Sequence, residues 1–397
     1  MAEATFPSQR RAAFRWRPYD FIWVAGSVLL LLGIWGIWQR ASAGLAPTNL
    51  SSYVPWGLWV GFYDYLVWLE VGSLMLFTAL IYLAGNKQLA RIKPIVLFTG
   101  LVVLLMALFI VFLDLGHPER FWHVFVYPDF TSMITWMVWL HSTYLVILGA
   151  ELLLTLWGNE HSERWLRVLG LLSLPAGLAL ILVSGSIFGV VAARPLWNSS
   201  LLPLMFFISA LATGAGVLLL LTVVFWPDKS SAEYGQMVRF MARIAAWMLL
   251  AGVLAASIIA FTTLYQGSPA RTDALLLILT GPYWWSFWIL HILLGVLVPL
   301  FILFTMAHRP LWVGVGAALS IATFVTVTLN IVIPVLVTPE IEGLATAFVH
   351  PKLTLDYVPN VMEWSVIAFV FGFGGLLYGL GLRWLPVLPH SVEAHNE

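Results

Sequence analysis

Residues 56–84 read WGLWVGFYDYLVWLEVGSLMLFTALIYLA, an apolar run interrupted by the acidic residues Asp64 and Glu70. A helix that crosses a bilayer needs about 20 predominantly apolar residues, and this run is longer than that. Carboxyl groups are costly inside a membrane, so each one there is a candidate functional group. This run therefore predicts both a membrane helix and the position of a site within it.

Nine further apolar runs resemble it in length: 20–38, 94–113, 132–157, 167–191, 203–226, 240–264, 284–307, 311–336 and 361–383. The chain of 397 residues is 61% hydrophobic and 10% charged, with a mean hydropathy of +0.93. Soluble domains carry about 25% charged residues, so an ordinary soluble enzyme is excluded. The runs lack the strict alternation of a membrane β-barrel. We predict an all-α membrane protein with ten transmembrane helices, here called spans 1 to 10.

The distribution of Lys and Arg predicts the orientation, because these residues favour cytoplasmic loops. Of the 19 Lys and Arg residues, 14 lie in the termini and in the loops after spans 2, 4, 6 and 8. Both termini are therefore expected in the cytoplasm. The net charge is zero, which argues against a nucleic-acid partner.

A weak internal repeat predicts how the spans group. Span 4 carries His141 after a Trp-rich start, and span 8, four spans later, carries His291 in the same way. We predict two four-helix bundles, spans 2–5 and 6–9, with spans 1 and 10 outside them. The chain then divides into a basic cytoplasmic N-terminus (1–19), the first span with its outer loop (20–55), the two bundles (56–191 and 192–336), the last outer loop and span (337–383) and a cytoplasmic tail (384–397).

The cofactor chemistry open to the chain is limited by its composition. It contains no Cys, which removes thiolate iron–sulfur ligation and c-type haem attachment. A b-type haem held by two His residues needs both on one haem, whereas His141 and His291 lie in different predicted bundles. We expect no metal, haem or cluster to be bound by this chain.

The titratable residues inside the spans favour proton-coupled chemistry on a lipid-soluble molecule. At about 1.5 Å per residue, Asp64 and His141 lie at similar depths, roughly 12 and 14 Å from the outer ends of their helices. A quinone exchanges protons at its two oxygens as electrons arrive or leave, and its site needs such groups in an apolar pocket. The predicted quinone site comprises Asp64, His141, Asp114, His117 and Tyr144. The predicted proton path comprises Asp64, Glu70 and Glu151.

The outer loops are longer than the cytoplasmic ones and rich in Trp, Tyr, Pro and Asp, especially 39–55, 114–131, 265–283 and 337–360. They are either ordinary connections or a platform for an extracytoplasmic partner, and we prefer the platform. The predicted docking residues are Arg120, Arg194, Trp197 and Tyr357.

Several short motifs in this order resemble one family of integral membrane proteins, the NrfD/PsrC family, and in particular its ten-span branch with the HybB-type hydrogenase subunit. The motifs are Pro55-Trp56-Gly57-Leu58-Trp59 with Asp64, Asp114-Leu115-Gly116, the stretch 132–151, Arg194-Pro195-Leu196-Trp197, Tyr357 with Pro359 and Glu363, and the stretch 383–389.

The resemblance implies a quinone-interacting anchor of a respiratory complex in a bacterial or archaeal cytoplasmic membrane. It implies that menaquinone or ubiquinone is handled in the first bundle near the outer face. A ferredoxin-like [4Fe–4S] subunit would dock outside and connect to a catalytic subunit, which is a molybdopterin enzyme, a hydrogenase or a multihaem cytochrome. The chain itself is then either non-catalytic or the quinone-reactive part of the complex.

Two alternatives stay open at this point. The family often has a His in span 5 where this chain reads Leu178-Ala179-Leu180-Ile181, and some members have a Glu where it has Trp136. A purely structural anchor without a quinone site fits that difference. A secondary transporter would place a substrate between the bundles, with spans interrupted as they are here by Pro175, Pro299 and Pro334.

Overall fold

Ten long apolar helices make up most of the protein. The computed structural model describes residues 19–159, 161–341, 343–347 and 350–389, and no strand occurs in these ranges. The predicted basic N-terminus, except Tyr19, and the end of the predicted tail lie outside the described residues. Spans 1 to 10 are Asp20–Ala43, Leu58–Leu83, Lys87–Asp114, Met133–Trp157, Ser162–Gly189, Leu201–Phe225, Ala232–Gln266, Ser286–Thr305, Pro310–Val337 and Val361–Trp384. The predicted all-α class and the ten spans are confirmed, and the chain is a multi-pass integral membrane protein.

Span 7 differs most from its predicted bounds, because its helix starts at Ala232 rather than near residue 240. The additional turns contain Glu233 and Arg239, so the apolar pattern alone did not include them. Ser231 caps this start by accepting a hydrogen bond from the backbone N–H of Tyr234. At 35 residues the helix is about 52 Å long, well beyond a hydrocarbon core of about 30 Å.

Span 2 is the central helix of the protein. All residues of its α-helical part, Leu58–Thr78, are buried except Val60 and Leu76. It packs against spans 3, 5, 6 and 9. Its crossing with span 6 is close: a Cβ atom added to Gly72 would lie 1.8 Å from the carbonyl oxygen of Ala210, and one added to Gly214 would lie 2.1 Å from the carbonyl carbon of Gly72. Small residues let membrane helices approach in this way, which fixes the rotation of span 2.

Spans 1 and 10 form a closely packed pair beside span 3. Their backbones meet at glycines: a Cβ on Gly26 would lie 2.4 Å from the backbone N of Leu376, and one on Gly372 would lie 2.2 Å from that of Leu30. Among the other spans, consecutive members of 2–5 and of 6–9 contact each other. Span 2 also packs on span 6 as extensively as on span 3, so the division into two bundles stays a prediction.

One end of the protein carries all the long connections: 44–57, 115–132, 190–200, 267–285 and 338–360. We call it the long-loop end; it is the end predicted to face outward. Lys352 connects the loop 338–360 to the loop 44–57. Its Nζ donates hydrogen bonds to the carbonyl oxygens of Ala46, Thr48 and Leu50 at 3.1, 2.8 and 3.2 Å.

In the described part of the chain, two π-helical segments interrupt the regular spans, Ala79–Leu83 at the end of span 2 and Ser286–Leu297 at the start of span 8. Such segments are rare and occur frequently at functional sites, because the widened turn re-aims the side chains that it carries. The longer of the two contains His291.

Candidate functional site

Span 4 presents one buried stripe of side chains to the interior. The buried residues Met137, His141, Tyr144, Leu148 and Glu151 recur at intervals of four and three, which places them on one face of an α-helix. Three of the five carry a titratable or hydroxyl group. The face turned away from the stripe includes exposed Trp and Val side chains, as expected of a lipid-facing surface.

The side chain of Asp64, which belongs to span 2, is buried in the interior against span 5. Its Oδ1 accepts a hydrogen bond of 2.9 Å from the Ser184 hydroxyl of span 5. Its Oδ2 is buried and has no hydrogen-bond partner among the described residues. A buried polar atom without a partner costs free energy, so the open position on Oδ2 suits a proton or a ligand atom.

His141 approaches span 2 from span 4. Its Nδ1 lies 3.0 Å from the carbonyl oxygen of Met137, and its Nε2 lies 3.4 Å from the hydroxyl of Tyr63. An imidazole that donates from Nδ1 to a carbonyl keeps Nε2 as an acceptor in its neutral form. His141 thus contacts Tyr63, the residue before Asp64, whereas Asp64 itself bonds to Ser184, so their placement in one site stays a prediction.

Glu70 and Tyr144 continue this site toward the opposite end of the protein. Neither carboxyl oxygen of Glu70 has a hydrogen-bond partner in the described part of the chain, although the residue is fully buried, and the Tyr144 hydroxyl also lacks one. The Tyr144 hydroxyl interacts electrostatically with both Glu70 and Glu151. It is therefore near both of these predicted members of the proton path.

Glu151 lies against span 5, nearer the end of the protein opposite the long-loop end, here called the short-loop end. Its Oε1 lies next to Gly170: a Cβ atom added to this glycine would be 3.1 Å from the Glu151 Oε1. Tyr82 covers the same glycine, and the Lys93 Nζ donates to the Tyr82 hydroxyl at 3.0 Å. Lys93 is also the cation that acts electrostatically on Glu151. Glu151 and Tyr82 therefore meet at Gly170, close to a basic residue in the first part of span 3.

Asp114 belongs to a different group of side chains at the long-loop end. It interacts electrostatically with Arg40 and Glu363. Arg40 donates from Nε and Nη2 to the carbonyl oxygens of Leu113 and Leu115, at 2.6 and 2.5 Å, on either side of Asp114. Asp114 thus helps to join span 3 to spans 1 and 10, and no contact with Asp64 or His141 is formed in the described structure.

His117 lies on the surface, with 69% of its side chain exposed. The helix ends at Asp114, and Leu115 turns into extended backbone, which directs the following residues outward. The His117 Nδ1 pairs with Glu119 at 3.0 Å, and Arg120 is also exposed. Of the five predicted quinone-site residues, the interior site therefore contains Asp64, His141 and Tyr144.

Arg194 and Trp197, predicted to dock a partner, are instead buried. The Arg194 guanidinium donates to the carbonyl oxygens of Val335 and Thr338 at 3.1 and 2.7 Å, which caps the end of span 9, and pairs with Glu340 at 3.0 Å. Burial lowers the pKa of Arg194, while the negative charge of Glu340 opposes that shift. Trp197 donates from Nε1 to the carbonyl oxygen of Ile331 at 2.7 Å.

Tyr357 is buried as well. Its hydroxyl donates to Glu363 Oε1 at 2.5 Å and accepts from the backbone N–H of Leu58 at 2.8 Å, so it fixes the start of span 2. Burial and the neighbouring Glu363 carboxylate raise the pKa of Tyr357 above its usual value. Of the four predicted docking residues, Arg120 alone presents an exposed side chain.

Sequence reasoning missed Tyr63, Ser184, Tyr82 and Lys93 as members of this constellation. Ser184 carried a partial signal, since it lies beside Gly185, where span 5 packs closely on span 6: a Cβ added to Gly185 would lie 2.6 Å from the Cα of Pro203. Among the described residues, no group of three or more His, Asp or Glu side chains is arranged to hold a metal ion.

Comparison with known proteins places these residues in a family. Residues 47–340 match the family model described as "Polysulphide reductase, NrfD", which confirms the resemblance noted in the sequence. A selenate reductase subunit from Mesobacillus selenatarsenatis is 29% identical, over 93% of this chain and 95% of its own. The Hdr-like menaquinol oxidoreductase integral membrane subunit of Archaeoglobus fulgidus is 26% identical (87% and 88%). The menaquinone reductase integral membrane subunit of Nitratidesulfovibrio vulgaris is 23% identical (92% and 91%).

Proposed function

Because this chain belongs to the polysulphide reductase NrfD family, we propose that it is the quinone-interacting membrane anchor of a respiratory oxidoreductase complex. The observation that carries the proposal is the interior constellation of Asp64, Glu70, His141 and Tyr144, whose buried polar atoms are mostly without partners. Relatives named as menaquinol oxidoreductase and menaquinone reductase subunits support menaquinone as the molecule handled.

The polar groups of these residues match the chemistry of a quinone headgroup. Asp64 Oδ2 and the Tyr144 hydroxyl are buried without hydrogen-bond partners in the described chain, and each can form a hydrogen bond with an oxygen atom of a ligand. The surroundings are apolar side chains of spans 2 and 4, as a lipid-soluble ring requires. A bound quinone would supply two-electron chemistry coupled to two protons.

The residues of the chain would move those protons. Asp64, held by Ser184 through Oδ1, is positioned to exchange a proton at Oδ2. His141 Nε2, held by the Met137 carbonyl through Nδ1, offers a second position for a proton and shares it with the Tyr63 hydroxyl. From there Glu70, Tyr144 and Glu151 lead toward Lys93 at the short-loop end.

The electrons would come from or go to a partner, since this chain offers no thiolate for an iron–sulfur cluster. We propose a ferredoxin-like [4Fe–4S] subunit on the long-loop end, facing out of a bacterial or archaeal cytoplasmic membrane, and a catalytic subunit beyond it. Relatives named as subunits of selenate reductase and menaquinone reductase support a catalytic partner. Arg120 and the exposed aromatic side chains Trp122 and Tyr127 beside it are the surface offered to that partner.

The proposal is tested by isolating the chain from its own membranes with its associated subunits. We expect co-purifying iron–sulfur and catalytic subunits, and electron transfer between them and a short-tailed naphthoquinone or its quinol. A chain that purifies alone, does not respond to quinone and accumulates a solute in proteoliposomes would instead be a transporter.

We expect Glu151→Gln to leave quinone-linked electron transfer near its normal rate and to abolish proton movement across the membrane. Gln keeps the shape of the side chain over Gly170 but cannot carry a proton along the path. The measurement is the internal pH of proteoliposomes during turnover. Glu163→Gln, at an exposed position at the start of span 5, is the matched control. Unchanged proton movement in Glu151→Gln would remove this residue from the path.

A further inference from the structure

A second interior site lies in the other half of the protein, among spans 6 to 9. A cavity of about 430 Å³ opens there near the long-loop end, lined by residues of these spans and of the short helix Pro269–Leu279. Its volume falls in the range of small-molecule sites. None of the residues assigned to the quinone site or the proton path lines it.

Three polar side chains of the described residues line this cavity, Ser257 of span 7, His291 of span 8 and Asn330 of span 9, and the last two are buried. His291 is 8% exposed, and its Nδ1 is buried without a hydrogen-bond partner in the described chain. Asn330 Oδ1 accepts from the Ser286 hydroxyl at 3.2 Å. This bond fixes the amide so that its Nδ2 is left as a donor, and no hydrogen bond from Nδ2 is formed within the described residues. Both groups can therefore bind a ligand oxygen.

The backbone places His291 in an unusual way. It lies within the π-helical segment Ser286–Leu297, whose widened turns change the direction of its side chains relative to an α-helix. Phe324 packs against the imidazole with ring centroids 5.2 Å apart. The ring is thus held in place, and neither nitrogen forms a hydrogen bond within the described residues. Because Nδ1 is enclosed, Nε2 is the nitrogen that can reach a ligand in the cavity.

The chemistry of the wall restricts the ligand. Among the described residues, no Asp, Glu, Lys or Arg lines the cavity. Apart from Ser257, His291 and Asn330 its wall is apolar, with Trp197 and Trp288 among the aromatic residues. A charged phosphate headgroup would find no counter-charge there and would lose its hydration. An uncharged ring with oxygen atoms at its edge matches the two donors and the aromatic walls.

A groove between spans 6 and 7 continues the cavity toward the lipid. A second, smaller cavity of about 160 Å³ shares Met205 and Ile259 with the first and is lined only by apolar and small side chains. Among them Leu254 is 62% exposed on the surface that faces lipid. The groove therefore provides a route and a resting place for a hydrocarbon tail attached to the headgroup.

We infer that this cavity is a second quinone-binding site, with His291 and Asn330 holding the oxygens of the ring and the groove at Met205 and Ile259 holding the tail. The inference rests on the proposed function for the identity of the headgroup. Because no carboxyl group of the described residues lines this cavity, the site binds a quinone without the proton path that serves the first site.

The test counts bound molecules. The full chain in phosphatidylcholine nanodiscs is dialysed to equilibrium against a decyl-tailed naphthoquinone. We expect two bound molecules per chain. His291→Leu and Asn330→Leu should each weaken one of the two by about tenfold, the effect of one lost hydrogen bond. Ser257→Phe, which fills the cavity without changing either donor, should remove the same molecule. His308→Leu, at an exposed position just beyond the opposite end of span 8, is the matched control.

The outcomes separate this inference from the proposed function. One bound molecule that is weakened by Asp64→Asn and unaffected by the His291, Asn330 and Ser257 variants overturns the second site and leaves the proposed function intact. One bound molecule that responds to the His291, Asn330 and Ser257 variants but not to Asp64→Asn supports the second site and contradicts the first. The inference is also overturned if two molecules bind and the affinity of neither changes in His291→Leu, Asn330→Leu or Ser257→Phe.

Discussion

Asp64→Asn is expected to reduce quinone-linked electron transfer at least about a hundredfold while the protein still folds and assembles. Asn has the size of Asp and can keep the hydrogen bond from Ser184 through its amide oxygen. It cannot take up or release a proton at the position of Oδ2, the buried atom without a partner. The rate is measured in the isolated complex with a naphthoquinol and the natural acceptor subunits.

Two further variants make the result specific. Ser184→Ala removes only the hydrogen bond that orients Asp64, so we expect a loss smaller than that of Asp64→Asn. Asp273→Asn makes the same change at an exposed residue of the short helix Pro269–Leu279 and should leave the rate unchanged. Full activity of an assembled Asp64→Asn complex would remove Asp64 from the mechanism.

The ten spans could be predicted because membrane insertion depends on a local property. About 20 apolar residues suffice to identify a span, and neither side-chain rotation nor tertiary contacts enter. The bounds failed where polar residues continue a helix, as at Ala232. The similar depths of Asp64 and His141 could also be derived, since depth follows from position in the run.

The sequence did not reveal the rotation of each helix about its axis, and this decides which side chains meet. Tyr63 faces His141, and Ser184 faces Asp64, because span 2 is fixed by its contacts with neighbouring spans. No local pattern encodes these pairs. Apart from Asp64 and Glu70, span 2 shows no distinct polar face, as is expected of a helix buried on every face.

The predicted docking residues show why loops are harder to interpret than spans. Arg194 lies in a connection between spans, where a charged residue is normally exposed. Here the free carbonyl groups at the end of span 9 need donors, and the guanidinium supplies them, so the residue is buried. His117 is the reverse case, because it was predicted in the quinone site and is exposed. It follows Asp114 by three residues but lies beyond the helix end, on the surface.

The strongest structural prediction concerns the crossing of spans 2 and 6. We expect Gly72→Leu to destabilise the protein by about 3 kcal/mol or more, because a side chain there meets backbone atoms rather than movable side chains. The Ala210 carbonyl oxygen would lie 1.8 Å from the new Cβ. The measurement is the melting temperature of the detergent-purified chain, together with its elution as a single species.

This crossing also carries the site, because Gly72 lies two residues after Glu70 on the helix that holds Asp64. A displaced span 2 would move both carboxyl groups relative to His141, so any surviving Gly72→Leu protein should lose quinone-linked activity as well. Gly149→Leu and Gly252→Leu are the matched controls, since an added Cβ at either glycine meets no heavy atom within 4 Å. A Gly72→Leu protein as stable as these controls would show that spans 2 and 6 do not cross as closely as the structure has them.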